Sequence, residues 1–450
     1  MTKRPTKRPR VALVTLGCAK NVVDSERIAS ILEAAGVEVT ADPAGASVAV
    51  VNTCGFIESA KQESIDAILE AADWKAAHGL ETLIVTGCLA QRYGDELRAS
   101  LPEADLLLGV DPPAAASTVL RALGIEAPAP CPASRQRAHR LTPPAWCYLK
   151  IAEGCDNRCA YCAVPLIRGP LVSRPLEEVV EEARGLLAEG VVEINVIAQD
   201  TTAYGMDRAG GRQLHTLLRS ICALDGEKWV RLLYCHPARF YPELIDVLAG
   251  ERQVCPYLDI PLQHIADRVL ERMERKITRS RMEGLIETLR ERIPGVTLRT
   301  TFMVGFPGET DREFEELLEF VRAVRFERLG AFTYSQEEGT AAAKFDGQVP
   351  EAAKQERYHA LMSAQREIAC GLAAARVGER TRVLVEAAAE SGGKPVFGRS
   401  PREAPDVDPV ILLPDEPGLR AGEVVEVEII AGREYDCIAR LTKGPGDGKG

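Results

Sequence analysis

Three times in its first ninety residues the chain repeats one pattern, an apolar run ending in a tight turn with a cysteine. Val11 to Leu16 leads through Gly17 to Cys18, Ser47 to Val51 leads through Asn52-Thr53 to Cys54-Gly55, and Thr82 to Val85 leads through Thr86-Gly87 to Cys88. Between the runs lie helical stretches from Asp24 to Ala35, closed by Gly36, and from Glu58 to Ala77, ended by Gly79. Buried strands alternating with helices predict a parallel, doubly wound sheet. All strand C-terminal ends of such a sheet lie on one edge, where ligands bind. Cys18, Cys54 and Cys88, spaced 36 and 34 residues apart, are therefore expected to converge on one crevice. The competing reading is three core cysteines, which would be expected within strands rather than at their ends.

The β/α alternation stops at a proline-rich stretch holding Pro112, Pro113, Pro128, Pro130, Pro132, Pro143 and Pro144, which reads as a linker and a domain boundary. It resumes from Trp146, with strands at Tyr148–Ile151, Glu193–Ile197, Val230–Leu233, Tyr257–Ile260, Thr297–Val304 and Ala331–Tyr334, and helices at Leu176–Ala188 and Asp311–Arg325. Five or six such units predict a full or partial (β/α) barrel, with reactive groups at strand C-terminal ends. After a long helix from Pro350 to Arg376, short strands separated by turns predict a small all-β barrel. The expected divisions are residues 10–125, 141–372 and 376–443, in keeping with about three domains for 450 residues.

Composition removes several classes. No apolar run approaches the roughly 18 residues of a membrane span, so no membrane partner is expected. The net charge of −11 argues against nucleic acid as the main partner, because phosphate binding rests on Lys and Arg. The one basic run, Lys3, Arg4, Lys7, Arg8 and Arg10, is broken by prolines and reads as a solvated tail. That tail followed by Val11 to Gly17 and Cys18 imitates a lipoprotein leader. The recurrence of the strand-then-cysteine pattern downstream argues against one. Thirteen cysteines, an odd number and a small share of the chain, suit reduced thiols in the cytoplasm better than a disulfide scaffold.

Cys155, Cys159 and Cys162 form a second motif, Cys-x3-Cys-x2-Cys, in a loop after a predicted strand, and Gly154 lets the backbone turn around it. Three thiols so close can hold three corners of a 4Fe-4S cubane and leave the fourth iron open. Zinc is the rival, but a further cysteine pair or histidine ligands at zinc spacing are missing. A chance core cluster is the third reading. The other seven cysteines, Cys131, Cys147, Cys222, Cys235, Cys255, Cys370 and Cys437, share no spacing and read as single buried thiols.

With its Tyr161-Cys162 ending, the second motif resembles the radical S-adenosylmethionine superfamily. Taken with Thr15-Leu16-Gly17-Cys18-Ala19-Lys20-Asn21, Asn52-Thr53-Cys54-Gly55-Phe56, Thr86-Gly87-Cys88, Arg168-Gly169, Ser173-Arg174-Pro175 and Gly305-Phe306-Pro307-Gly308-Glu309, it looks like the methylthiotransferase family over residues 10 to 443. The last part resembles the TRAM domain, a small substrate-binding barrel. The resemblance implies an N-terminal α/β domain, a central radical barrel and a TRAM barrel. It also implies two 4Fe-4S clusters, one on Cys18, Cys54 and Cys88 and one on Cys155, Cys159 and Cys162, with S-adenosylmethionine as cofactor. In that family one molecule of S-adenosylmethionine methylates a sulfur held at the first cluster. A second, cleaved reductively at the other, yields the radical that opens an unactivated C–H bond. An electron donor such as flavodoxin or ferredoxin is implied with it.

One branch of the family modifies transfer-RNA adenosine, and another modifies the β-carbon of a loop aspartate in the small-subunit ribosomal protein of the S-twelve type. Ala198-Gln199-Asp200-Thr201-Thr202-Ala203-Tyr204-Gly205, Tyr257-Leu258-Asp259-Ile260-Pro261-Leu262-Gln263-His264, Gly398-Arg399-Ser400 and Ala404-Pro405-Asp406-Val407-Asp408 look like the second branch. Charge agrees independently. Residues 376–443 carry 10 Lys/Arg against 13 Asp/Glu, a net −3, poor for transfer RNA and suited to a basic ribosomal protein or the small ribosomal subunit. The expected function is thus methylthiolation of that ribosomal protein, with the transfer-RNA activity as the alternative. Tyr161, Arg174, Gln199 and Gln263 are expected to line the S-adenosylmethionine site. Gly305 opens a loop that is an ordinary tight turn or, by the resemblance, an adenosine contact. His264 is either catalytic or a satisfied structural histidine.

Overall fold

The computed structural model describes residues 8–126, 139–387, 396–415 and 418–442. Lys3, Arg4 and Lys7 of the basic tail, Pro128, Pro130 and Pro132 of the expected linker, and Cys131 lie outside the described residues.

The first unit runs β1 (Arg10–Thr15), α1 (Ala19–Ala34), β2 (Glu38–Thr40), β3 (Val48–Thr53), α2 (Glu58–His78), β4 (Thr82–Gly87), α3 (Cys88–Ser100), β5 (Leu106–Leu107) and α4 (Pro112–Ala122). Its five strands form a parallel sheet in the order β2-β1-β3-β4-β5. Both faces are covered, which is why β3 is buried at every position. Val11, Leu13, Val48 and Val50 pack on one side with Ile28 and Leu32 of α1 and Val119 and Leu120 of α4. Ala12, Ala49, Val51, Leu83 and Val85 pack on the other with Ile68 of α2 and Leu89 of α3. The strand order reverses between β1 and β3, so the crevice of a doubly wound sheet opens where Cys18 and Cys54 stand.

The linker reading of Pro112 and Pro113 does not hold. They open α4, whose cap Asp111 accepts a hydrogen bond from the Ala114 amide at 3.0 Å. A proline in the first helical turn sacrifices only an amide that would have no helical partner, and α4 then buries Ala115, Ala116, Val119 and Leu120 in the core.

The central unit runs β6 (Trp146–Lys150), β7 (Ala152–Glu153), α5 (Val164–Arg168), β8 (Val172–Ser173), α6 (Leu176–Ala188), β9 (Glu193–Ile197), α7 (Leu214–Cys222), β10 (Trp229–Leu232), α8 (Pro242–Gly250), β11 (Val254–Asp259), α9 (Asp267–Arg272), α10 (Arg279–Arg292), β12 (Thr297–Val304), α11 (Asp311–Val324), β13 (Arg328–Thr333) and α12 (Glu351–Ala375). Six parallel strands in the order β6-β9-β10-β11-β12-β13 form a partial (β/α) barrel. β7 and β8 make a separate antiparallel pair.

β14 (Arg380–Ala387), β15 (Val396–Arg399), β16 (Ile411–Leu413), β17 (Val424–Arg433) and β18 (Asp436–Leu441) close the small terminal barrel. It is locked to the N-terminal ends of the central strands. Glu193, fully buried at the start of β9, accepts from Arg231 Nε and from Arg399 Nη2, each at 2.7 Å. Arg328 at the start of β13 pairs with Glu403 at 3.0 Å. Among the described residues, no helix is long and apolar enough to cross a membrane.

Candidate functional site

The C-terminal ends of the central strands and the crevice of the first sheet face each other across a cavity of about 790 Å³. Its walls include Cys18, Cys54 and Cys88 from the first unit and Cys155, Cys159 and Cys162 from the second. All six are free thiols.

The first triad is set by three adjacent strands. Cys18 caps α1 after β1, Cys54 follows β3, and Cys88 begins α3 at the end of β4. Gly17 has φ +89°, and a Cβ there would lie 2.7 Å from the Cβ of Cys54, so only glycine lets the two cysteine turns meet. Asn21, fully buried, donates from Nδ2 to the carbonyls of Leu16 at 2.8 Å and Thr53 at 2.9 Å, tying the ends of β1 and β3. Ser64 of α2 accepts from the Cys54 amide at 3.0 Å and donates to its carbonyl at 2.8 Å.

The second triad lies in the loop between β7 and α5. Gly154, with φ +73°, sits so close to the returning chain that a Cβ would fall 2.0 Å from the Pro170 carbonyl oxygen. The Cys155 amide donates to the Gly169 carbonyl at 3.1 Å, closing the loop at its base. The Asn157 amide donates to Cys155 Sγ at 3.4 Å, and Arg275 Nη1 donates to Cys159 Sγ at 3.6 Å. Burial pushes the thiols of Cys88 and Cys155 up to about 11 and that of Cys162 up to about 12. They are protonated at neutral pH until a cation displaces the protons.

This donor set fits iron–sulfur cubanes. Each triad offers three free thiols on the cavity wall, the soft donor type that iron–sulfur clusters take. A cubane binds each thiolate at a separate iron, so three thiols leave its fourth iron open.

A buried charged network joins the triads. Arg168 on α5 donates to Cys88 Sγ at 3.3 Å, Asn21 Oδ1 at 2.6 Å, Asp24 Oδ2 at 2.7 Å and Glu153 Oε2 at 3.1 Å. Lys150 pairs with Asp24 and, at 2.7 Å, with Glu153, which accepts from Gln199 Nε2 at 2.6 Å. Burial works against ionisation of Asp24 and Glu153, but the Lys150 and Arg168 cations outweigh it and hold both carboxyls below their ordinary range. A second clasp joins the units where Glu337, buried, accepts from Arg92 Nη1 at 2.9 Å and pairs with Lys61 at 3.2 Å.

Of the residues expected at the S-adenosylmethionine site, Tyr161, Gln199 and Gln263 line the cavity, while Arg174 and Gly305 are not among its walls. Arg174 donates to the Lys150 carbonyl at 2.7 Å and pairs with Glu182 at 2.7 Å. The turn that Gly305 opens carries Phe306, which packs edge-on under Tyr161 with ring centres 6.5 Å apart. The side-chain oxygens of Gln199 and Gln263 are buried without a hydrogen-bond partner. Two orphaned acceptors in one cavity call for a ligand with donor groups, and S-adenosylmethionine brings hydroxyl and amino donors. His264 lies outside the walls. Its Nδ1 accepts from the Ala266 amide at 3.0 Å, its Nε2 is buried without a hydrogen-bond partner, and burial pushes it down to about 3, so it is neutral. Arg275 and Glu337 are site residues that sequence reasoning did not name, and Arg168 and Lys20 stood in quoted motifs without an assigned role. None of residues 376–442 that the structure describes lines the cavity.

Comparison with known proteins agrees with this arrangement. Residues 10–109 match the profile described as uncharacterized protein family UPF0004, residues 149–321 the radical SAM superfamily and residues 377–442 the TRAM domain. The fold resembles the radical S-adenosylmethionine methyltransferase TsrM from Kitasatospora setae, with a TM-score of 0.53 at 17% identity over 72% of this chain and 75% of that one. The protein called ribosomal protein uS12 methylthiotransferase RimO is 44% identical in Desulforamulus reducens, over 97% of this chain and 100% of that protein. Its counterpart in Desulforudis audaxviator is 45% identical over 96% and 97%. At this identity over nearly the whole length, the chain belongs to the ribosomal protein uS12 methylthiotransferase family.

Proposed function

We propose that this protein adds a methylthio group to the β-carbon of a loop aspartate of ribosomal protein uS12. The observation that carries the reading is the convergence of two cysteine triads, from two separately folded sheets, on one cavity. Cys18, Cys54 and Cys88 would hold one 4Fe-4S cluster and Cys155, Cys159 and Cys162 the other. When bound, the clusters and S-adenosylmethionine supply the sulfur chemistry and the radical chemistry that no side chain can perform. A C–H bond with no acidic proton is beyond general acid–base catalysis.

The chain's own residues position and insulate. Arg168 and Arg275 direct N–H groups at the sulfurs of Cys88 and Cys159 and so fix where those two side chains point. Gln199 and Gln263 offer acceptor oxygens to the cofactor's donors, and Tyr161 on its Phe306 support forms an adjacent wall. The clasps at Arg168 and Glu337 hold the first unit over the mouth of the barrel. The acidic terminal barrel, seated away from the cavity, suits a basic ribosomal protein and disfavours transfer RNA. A small one-electron carrier of the flavodoxin or ferredoxin type would supply the electron, in the cytoplasm.

The test is anaerobic incubation of the cluster-loaded protein with uS12, S-adenosylmethionine, sulfide and a reductant. A gain of roughly 46 mass units on uS12, the replacement of H by SCH₃ that the bound cofactors make possible, is the expected result. Unmodified uS12 beside methylthio-adenosine in added transfer RNA would overturn the reading.

A further inference from the structure

Three cations line the cavity, and two of them are already engaged. Arg168 faces Asp24 and Glu153, and Arg275 donates to Cys159 Sγ and to the Pro261 carbonyl. Lys20 is the third. It is 7% exposed, and its ammonium makes no ion pair or hydrogen bond with any described residue. It faces the Tyr234 ring, whose centre lies 3.1 Å from Nζ.

An aromatic face attracts an ammonium but accepts no ordinary hydrogen bond, so the donors of Nζ stay unfilled. An ammonium that lines the cavity with no acidic partner is a ready site for an arriving anion. The cavity's own acids do not supply one. Asp200 pairs with Arg239 at 3.0 Å, Glu337 with Arg92 and Lys61, and Glu58 with Lys61 at 2.5 Å.

The ring under the ammonium is held at a cost. Tyr234 has φ +60°, a left-handed conformation unfavourable for a bulky side chain. Its amide donates to Asp259 Oδ2 at 3.0 Å, and its carbonyl accepts from the Thr201 amide at 3.0 Å, pinning the strained residue from both sides. Such strain gathers at ligand sites. Lys20 itself lies two residues after Cys18 in the first turn of α1, so its ammonium is fixed relative to the N-terminal triad.

We propose that Lys20 is the specificity-determining residue that receives the side-chain carboxylate of the substrate aspartate, an inference that rests on the function proposed above. Anchoring Cγ by its carboxylate fixes the neighbouring β-carbon against the triad. It also explains how an aspartate is told from an asparagine, which offers no charge. The carboxylate of S-adenosylmethionine is the other source of the same chemistry.

The experiment compares wild type, Lys20→Met and Lys20→Arg, all loaded anaerobically, on uS12 and on uS12 with the modified aspartate changed to asparagine. For Lys20→Met the expected result is a loss of roughly 10- to 100-fold in kcat/KM for uS12, as for removal of one charged hydrogen bond. Its preference for aspartate over asparagine should vanish, while iron content, KM for S-adenosylmethionine and 5′-deoxyadenosine formed without uS12 stay at wild-type values. Lys20→Arg should recover part of the preference. Undiminished discrimination by Lys20→Met overturns the inference, as does a raised KM for S-adenosylmethionine, which would assign Lys20 to the cofactor. Iron loss in both variants would assign it to the cluster and also overturns it. Failure of the wild type to modify uS12 at all would instead overturn the proposed function, and the inference with it.

Discussion

Replacing Arg168 by Gln removes one of two cations from a buried network that contains two carboxylates. In the wild type Arg168 and Lys150 balance Asp24 and Glu153, and the side chains of Arg168, Lys150 and Asp24 are each at most 6% exposed. After the change, Lys150 alone faces both acids. Breaking a buried pair by deleting one partner costs about 3–5 kcal/mol, because the remaining charge is left desolvated and uncompensated. The same change at Arg184, whose pair with Glu181 is 58% and 69% exposed, should cost about 0–1 kcal/mol. Anaerobic urea titration followed by far-ultraviolet circular dichroism measures both. Acid should deepen the contrast. Asp24 and Glu153 have lowered folded-state values, so their stabilisation is present above roughly pH 4 and is lost as pH falls through those values. Without Arg168 only Lys150 opposes burial, and the loss should begin at higher pH. A destabilisation no larger than that of Arg184→Gln would refute the view that this network joins the two units.

Cys159→Ala should lower iron to about half and stop 5′-deoxyadenosine formation, since two thiolates do not retain the cubane; normal cleavage of S-adenosylmethionine would show the assignment to be wrong. Cys54→Ala should keep that cleavage and lose methylthiolated uS12, so product from this variant would reduce the N-terminal triad to a structural role. His264, pushed down to about 3 by burial, stays neutral in the folded chain and takes up a proton on unfolding. Its contribution is present above about pH 6.5 and is lost as pH falls toward the lowered value; His264→Asn should flatten this stretch of the stability curve by up to roughly 1.4 kcal/mol per pH unit, and an unchanged slope would contradict it.

The N-terminal sheet was legible because strands buried on both faces are continuous apolar runs, and because the turn after each run carries its cysteine. The start of α1 was not. The helix begins at Ala19 rather than Asp24, since Lys20, Asn21, Asp24, Ser25 and Glu26 are buried polar residues wedged between two units. Apolar periodicity carries no signal where a helix buries polar groups against a partner. Pro112 and Pro113 misled because linker composition and a helix-opening proline look alike before the packing of Val119 and Leu120 is known. On α11 the reading was easier. Leu317 and Val321 face the core, and Thr310 with Glu313 forms the capping box that fixes its start. In the cavity, local motifs marked the two triads, but Arg168 and Arg275 meet their cysteines across 80 and 116 residues of sequence, a pairing no local pattern encodes.

The radical step on uS12 can be followed by isotope. In the loaded enzyme, uS12 carrying aspartate deuterated at the β-carbon should deliver deuterium to 5′-deoxyadenosine, raising its mass by about one unit as the methylthio group appears on the protein. Product formed with 5′-deoxyadenosine free of deuterium would contradict hydrogen abstraction from that carbon in this cavity.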